Sequence, residues 1–490
     1  MSPFPPMSSQ LTTIRLAKSR CLEQKLPPLL RPAILAYVLG YASSTAPRVL
    51  TLLLTYLNRK RKNIDEKPDD KLSNALIQIL RGGLEFQRFP TFCAALVGGS
   101  TLLELPLQRF FASVVTKLSQ AEKSRLTKWL STFAAAWFSL KLLQSKKSNA
   151  FTEIVFHETA NGRVARPTHF AGRTMDLTLF AVTRALDVVI GELWTQRRDR
   201  RKTTRRWSSI DKVISTLADP AIFASSCALI MWAWIYTPDR LPRSYNKWIK
   251  SAAAVDQRLL LALRRMRYGE IKYGQETGQA YLLQDMCKDY NLPLDYGDPA
   301  KTVPYPCEIV HMGTGSSCEY HAFSRFVRSF TWAFSTYLPL NLILTARDPT
   351  RKRFIHALKS SARSSSFLGT FIALYYYGIC LTRSRLGPKI LGSSTATCQQ
   401  IDSGPCIGGG CALCGWSVLI ETETRRKELG LFVAPRALAT LLPRRYLMEK
   451  QWRETLAFAT SAAVVFTCVS EKPGRVRGVL GKLLCRVLSW

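Results

Sequence analysis

Two of the five histidines in this 490-residue chain stand within one short stretch beside two cysteines: Cys307, His311, Cys318 and His321, spaced C-x3-H-x6-C-x2-H. Two thiolates and two imidazoles are the ligand types and number of a closed tetrahedral zinc site. The spacing is less usual, because such sites are commonly built from C-x2-4-C and H-x3-5-H pairs, whereas here each cysteine is paired with a histidine. Gly313, Gly315, Ser316 and Ser317 between them allow the stretch to fold back on itself. A disulfide between Cys307 and Cys318 is equally drawable in a non-reducing compartment. A packed loop with neither metal nor disulfide is the third reading, and zinc is the one cofactor the residues suggest.

A second cysteine group, Cys398, Cys406, Cys411 and Cys414, contains a C-x2-C that could bind metal or do redox work. Cys411 and Cys414 lie in a run of small and apolar residues, which points instead to buried packing. GxxxxGK[ST], HExxH, GxSxG and strand-linked GxGxxG patterns are absent, so no catalytic residue is assigned and a non-enzymatic role is expected.

The elements that must position these residues are apolar. Eight runs stand out: Pro32 to Leu57, Pro90 to Leu103, Trp129 to Leu140, Pro220 to Pro238, Ser329 to Ala346, Ser364 to Thr382, Ser403 to Ile420 and Thr455 to Ser470. Several approach the roughly 20 helical residues that cross about 30 Å of hydrocarbon. Pro220 to Pro238 carries no charge, and Trp232, Trp234 and Tyr236 near its end form a candidate interfacial belt. The mean hydropathy is near zero only because charges are segregated between the runs.

Lys and Arg number 69 against 34 Asp and Glu, a formal +35. The basic blocks, among them Arg59 to Lys62, Lys141 to Lys147, Arg197 to Arg206 and Arg351 to Arg353, sit just outside apolar runs. Such flanks set topology and attract anionic headgroups. A soluble basic nucleic-acid-binding protein is the competing reading, but no recognition motif accompanies the charge and no nucleic acid is expected. The 13 cysteines follow no secreted framework, and the first 25 residues of the tail faintly resemble a mitochondrial targeting segment, against which Pro3, Pro5 and Pro6 count.

An internal repeat organises the chain. Residues 95–109 and 412–426 agree at seven of fifteen positions, including Gly98 with Gly415, Ser100 with Ser417, Glu104 with Glu421 and Arg109 with Arg426. Small residues of this kind let helix backbones approach closely in lipid. The carboxylate five residues before an arginine reads either as part of a polar path or as a helix end at the headgroups, and the second is favoured. Arg184 and Asp187, three apart on one helical face, form a further candidate pair.

The segment Pro304 to Phe323 followed by Phe326 to Pro339, with Cys307-Glu308-x-x-His311, Ser317-Cys318 and the tail Tyr337-Leu338-Pro339, resembles the cysteine-rich region of the transmembrane protein 135 family, also called peroxisomal membrane protein 52. The Gly-rich repeats resemble helices of the related superfamily of mitochondrial inner-membrane translocase subunits and small peroxisomal membrane proteins. By position, Cys307, Glu308, His311 and Cys318 match the family signature. A Gly-rich repeat ahead of the cysteine-rich segment departs from the order in animal members. The resemblance implies a multi-pass protein of peroxisomal or mitochondrial membranes, concerned with lipid handling and organelle dynamics and without an established chemical activity.

The expected architecture is an all-α polytopic membrane bundle with two related helical halves. Its parts are a tail (1–29), a first half (30–147), a charged connector with one span near 220–238 (148–303), the cysteine-rich signature (304–323) and a second half (324–490). The expected partners are the lipid bilayer, anionic headgroups, and further copies or other membrane proteins. A translocase-like or channel role is the alternative, and it requires Glu104, Arg109, Glu421 and Arg426 to face a hydrated path.

Overall fold

The structure, a computed structural model, describes residues 27, 29–61, 69–114, 118–159, 162–345 and 350–488. The expected targeting segment (1–29) falls almost wholly outside the described residues, as does Lys62 of the first basic block.

Four helices open the chain: α1 (Arg31–Arg61), α2 (Asp69–Leu84), α3 (Phe89–Val114) and α4 (Gln120–Gln144). A capping box starts α4, with the Glu122 amide donating to Ser119 Oγ at 3.3 Å and the Ser119 amide to Glu122 Oε2 at 2.9 Å. An antiparallel hairpin, β1 (Thr152–Thr159) and β2 (Gly162–Ala171), precedes α5 (Met175–Thr203), which ends in the basic block. The hairpin is an addition to the all-α expectation.

From Arg206 to Pro443 the chain forms its own compact unit. The unit contains α6 (Ser209–Tyr236), α7 (Arg243–Ala253), α8 (Gln257–Arg267), α9 (Tyr281–Asp289), the one-turn α10 (Cys307–His311), α11 (Cys318–Thr345) and α12 (Arg351–Leu381). A π turn at Thr382–Leu386 leads to α13 (Gly387–Leu391), α14 (Thr395–Asp402), α15 (Pro405–Cys414), a 3-10 turn (Gly415–Ile420) and α16 (Glu423–Leu441). The core of α6, α12, α15 and the 3-10 turn gathers Phe223, Trp234, Ile372, Tyr375, Cys411, Cys414 and Val418. A second cluster, built on Leu259, Met266, Ile271, Leu283, Met286, Tyr305 and Ile309, seats the segment that leads into α10.

β3 (Tyr446–Leu447), α17 (Gln451–Glu471) and α18 (Gly478–Leu488) belong to the first unit, which runs to Arg205 and resumes at Arg444. β3 pairs with β2 at Phe170 and Ala171. This corrects the expected second half, 324–490. Phe458, Ala459, Ala462 and Phe466 of α17 pack on Phe92, Leu96, Ala136 and Leu140, so the last long helix closes the first core and not the second.

Three stretches of the described residues are long and apolar enough to cross a membrane: Leu72–Val114, Ser209–Tyr236 and Arg351–Leu391. A fourth arises if Thr395–Asp402 and Pro405–Ile420, bent by 41°, act as one span. The runs at Trp129 to Leu140 and Thr455 to Ser470 are core helices of the first unit.

Candidate metal centre

Cys307 is the first residue of α10 and His311 lies one turn later on the same face. The helix stops because Met312 turns left-handed at φ +52°, and Gly313 and Gly315 follow at +79° and +96°. A Cβ on Gly313 would meet the Tyr290 ring at 3.1 Å. Ser317 then starts α11, its Oγ accepting from the Tyr320 amide at 3.2 Å, and Cys318 occupies the first helical position. Two helix starts and a glycine turn thus bring Cys307, His311 and Cys318 together. Their ligand atoms all lie within 4.8 Å of one another, and among the described residues they are the one such Cys, His and carboxylate group. The group can hold a metal ion.

The imidazole of His311 is fixed by its neighbours. Its Nδ1 lies 2.6 Å from the Gly315 carbonyl, which can only accept, so the proton resides on Nδ1 and Nε2 carries the lone pair. Nε2 faces the Cys380 thiol of α12 at 3.4 Å. The neighbouring Cys380, then Arg383 and His311, hold the Cys307 thiol below its ordinary range against the effect of burial. Burial and the adjacent Cys307 push the Cys318 thiol up. Cys307 and Cys318 are both free thiols, so the disulfide reading is not realised.

His321 departs from the expected ligand set. It is fully buried and stacks on His311 with ring centroids 4.5 Å apart, while its Nδ1 meets Thr314 Oγ1 at 2.7 Å. One turn into α11, its ring is placed behind the His311 ring and outside the ligand group. Burial, then His311 and Arg325, hold its pKa down at about 3, so it packs as a neutral ring. Glu308, half-buried, is also outside the group.

The support is polar and buried. Arg383, on the π turn that follows Cys380, forms a two-pronged pair with Asp402 at 2.7 and 2.8 Å. The Tyr273 hydroxyl donates to the same carboxylate at 2.5 Å and accepts from the Tyr305 amide at 3.2 Å. This chain of bonds anchors the segment ahead of Cys307 to α12 and α14. Cys380 is the member that sequence reasoning missed.

The repeat residues lie elsewhere and serve packing. A Cβ on Gly98 would come within 2.6 Å of the Ala33 side chain, and one on Gly415 would collide with Ala224. Both glycines therefore mark a helix crossing against an alanine. Ser100 is buried and donates to the Val97 carbonyl at 2.8 Å, whereas Ser417 is buried with its hydroxyl unpartnered. Glu104 pairs with Lys128 at 3.3 Å, and Arg109 is exposed. Glu421, 3% exposed, pairs with Arg425 at 3.3 Å and accepts from Ser364 at 2.7 Å. Arg426 donates to the Glu421 carbonyl at 2.7 Å, so it caps a backbone turn and leaves the carboxylate to Arg425. Asp187 lies 3.7 Å from Arg477, and Arg184 donates to the Arg477 carbonyl at 3.2 Å. These two residues join α5 to the loop before α18.

No family model, curated protein or solved structure matches this chain.

Proposed function

We propose that this chain is a polytopic, non-enzymatic protein of a peroxisomal or mitochondrial membrane, acting in lipid or metabolite handling and organelle dynamics, with a structural zinc ion in its Cys-His-Cys group. The observation that carries the membrane reading is α6, a 28-residue helix long and apolar enough to cross a membrane and only about one third buried over its most apolar stretch. Ile210, Val213, Ile214, Leu217, Ile222 and Leu229 are exposed, while Ala224, Cys227, Met231 and Trp234 of the same helix are buried. In water so many exposed apolar side chains on one helix are of the kind that marks a membrane or partner surface. Hydrocarbon removes that cost, and the helix already satisfies its own backbone.

The glycine-on-alanine crossings at Gly98 and Gly415 support the same reading, because close backbone approach drives helix association in lipid. Basic blocks beside the spans would engage anionic headgroups at about 1 kcal/mol per residue. The likeness of 304–339 to the transmembrane protein 135 family is the ground for the organelle. Zinc is favoured over harder cations because thiolate and imidazole donors suit it and no carboxylate joins the group.

The test is alkaline carbonate extraction of the full-length protein, run with a gradient that separates peroxisomes from mitochondria. Retention in the pellet with one organelle marker is the expected result. Release into the supernatant overturns the reading and returns the +35 charge to nucleic acid.

One observation favours a second reading, a translocase-like or channel role. Glu421 keeps Oε2 buried and unpartnered beside the serine-rich face of α12, where Ser365 Oγ is also unpartnered. That role predicts that Glu421→Gln alters flux in reconstituted vesicles without lowering the amount of inserted protein, and unchanged flux removes it.

A further inference from the structure

We infer that Cys380 is the fourth ligand of the metal centre, making it a closed Cys3His site that staples the cysteine-rich segment to α12. The inference rests on the zinc reading above and names the ligand set of that same site.

Distance is the first argument. In a tetrahedral zinc site with Zn–S near 2.3 Å and Zn–N near 2.05 Å, a ligand sulfur and nitrogen stand about 3.6 Å apart. Cys380 Sγ lies 3.4 Å from His311 Nε2, the nitrogen left free by the Nδ1 contact with Gly315. The same sulfur is an electrostatic neighbour of both Cys307 and Cys318. Cys380 thus stands beside the group in which the ligand atoms of Cys307, His311 and Cys318 lie within 4.8 Å of one another, and its thiol would complete the ligand number and type of a closed structural site.

Exclusion of His321 is the second argument. Its ring lies parallel to His311 at 4.5 Å, and its Nδ1 is engaged by Thr314. Its Nε2 is buried without a hydrogen-bond partner, but its ring nitrogens lie outside the group in which Cys307, His311 and Cys318 meet. His321 instead holds the ligand imidazole in place.

Charge is the third. Three thiolates and a divalent cation leave one net negative charge in a buried setting, since Cys380 is 1% exposed. Arg383, three residues beyond Cys380, acts electrostatically on Cys307, and its Nη1 is buried with no hydrogen-bond partner. Its two other nitrogens are held by Asp402, which aims the guanidinium without filling Nη1. A negatively charged metal–thiolate cluster is the partner that arginine lacks. Binding exchanges S–H bonds for metal–sulfur bonds and releases the thiol protons to solvent, with no change of oxidation state.

The test uses full-length protein purified in detergent, with bound metal measured directly and cobalt(II) as the spectroscopic probe. The intact protein is expected to bind one metal per chain with three-thiolate charge-transfer intensity. Cys380→Ser should lose about one third of that intensity, one sulfur of three, and weaken metal binding by at least about 100-fold. Cys380→His, which still offers a donor, should retain the metal, separating a lost ligand from a lost fold. His321→Ala should keep the cobalt spectrum. If the intact protein binds metal with two-thiolate intensity, Cys380→Ser changes nothing and His321→Ala abolishes the spectrum, the fourth ligand is His321 and this inference falls while the zinc reading stands. If the intact, reduced protein binds no metal, both fall together.

Discussion

Two cysteine groups occupy the same compact unit, and only one of them gathers donors that could hold a metal ion. In the first, Cys307 and Cys318 start two separate helices, their thiols lie within 4.8 Å of each other and of His311, and the Cys380 thiol of a third helix lies 3.4 Å from His311 Nε2. In the second, three of the four thiols turn to a backbone carbonyl close to them in sequence. Cys398 donates to Ser393 at 3.8 Å, Cys406 to Asp402 at 3.7 Å and Cys414 to Cys411 at 3.5 Å. Cys411 and Cys414, the C-x2-C pair, sit in the apolar core with Trp234 and Tyr375, as their small-residue surroundings suggested. A cysteine becomes a ligand where other donors converge on it, and a spacing motif inside one helix does not supply that convergence.

The largest effect that could break this contrast is on metal content. Cys307→Ser is expected to weaken zinc binding by at least about 100-fold, since even outer-shell losses cost 10- to 100-fold. The double change Cys411→Ser with Cys414→Ser should leave one zinc per chain. Metal analysis after dialysis decides the matter, and the opposite pattern would move the metal centre to the C-x2-C.

A smaller effect follows from the glycine turn. Gly315 stands at φ +96° with open space around its Cα, so Gly315→Ala meets backbone strain and no collision. The cost should be about 1–2 kcal/mol in a denaturation midpoint. Because its carbonyl positions His311, zinc affinity should also fall by about 10-fold in a competition with a chromophoric chelator. Unchanged affinity would mean that the His311 tautomer is set by something other than Gly315.

Cys414→Ala sharpens the contrast from the other side. The thiol is fully buried, and losing one heavy atom there should cost about 1 kcal/mol through the cavity left behind. Zinc content should not move. A loss of zinc would show that the apolar core and the metal centre are one cooperative site.

Much of this was legible because it is local. Cys307, His311 and Cys318 declare themselves by type and spacing over a dozen residues, and the glycines between them announce the turn. Cys380 is different: it stands 62 positions beyond Cys318, alone in the apolar stretch Gly378-Ile379-Cys380, where a cysteine reads as core. His321 misled because sequence shows which donors are near in the chain but not which way a ring faces one turn into a helix. The hairpin had a readable signal, with Thr152, Ile154 and Phe156 alternating ahead of Asn161-Gly162, which an all-helical reading passed over. The return of α17 to the first core had none, because Phe458 and Phe466 would suit any apolar partner. The repeat was legible at the level of contact, with Gly98 and Gly415 each seated on an alanine, but not at the level of charge. Glu104 and Glu421 found different cations at different depths.

The finest test lies at Cys398, the member of the second group nearest the first. It shares Asp402 and Arg383 as electrostatic neighbours with the metal side, and it packs in the cluster of Leu259, Met266 and Tyr305 beneath α10. Were proximity to the buried pair enough to make a cysteine part of the centre, Cys398→Ala would lower zinc content. Its thiol instead points to the Ser393 carbonyl over 3.8 Å, a weak bond at the start of a short helix. Removing it should cost less than about 1 kcal/mol and leave both zinc content and the cobalt spectrum as they are. A spectral change would mean that the arginine couples the two groups, and the boundary between ligand and packing cysteine would then run through Arg383 and not through the helices.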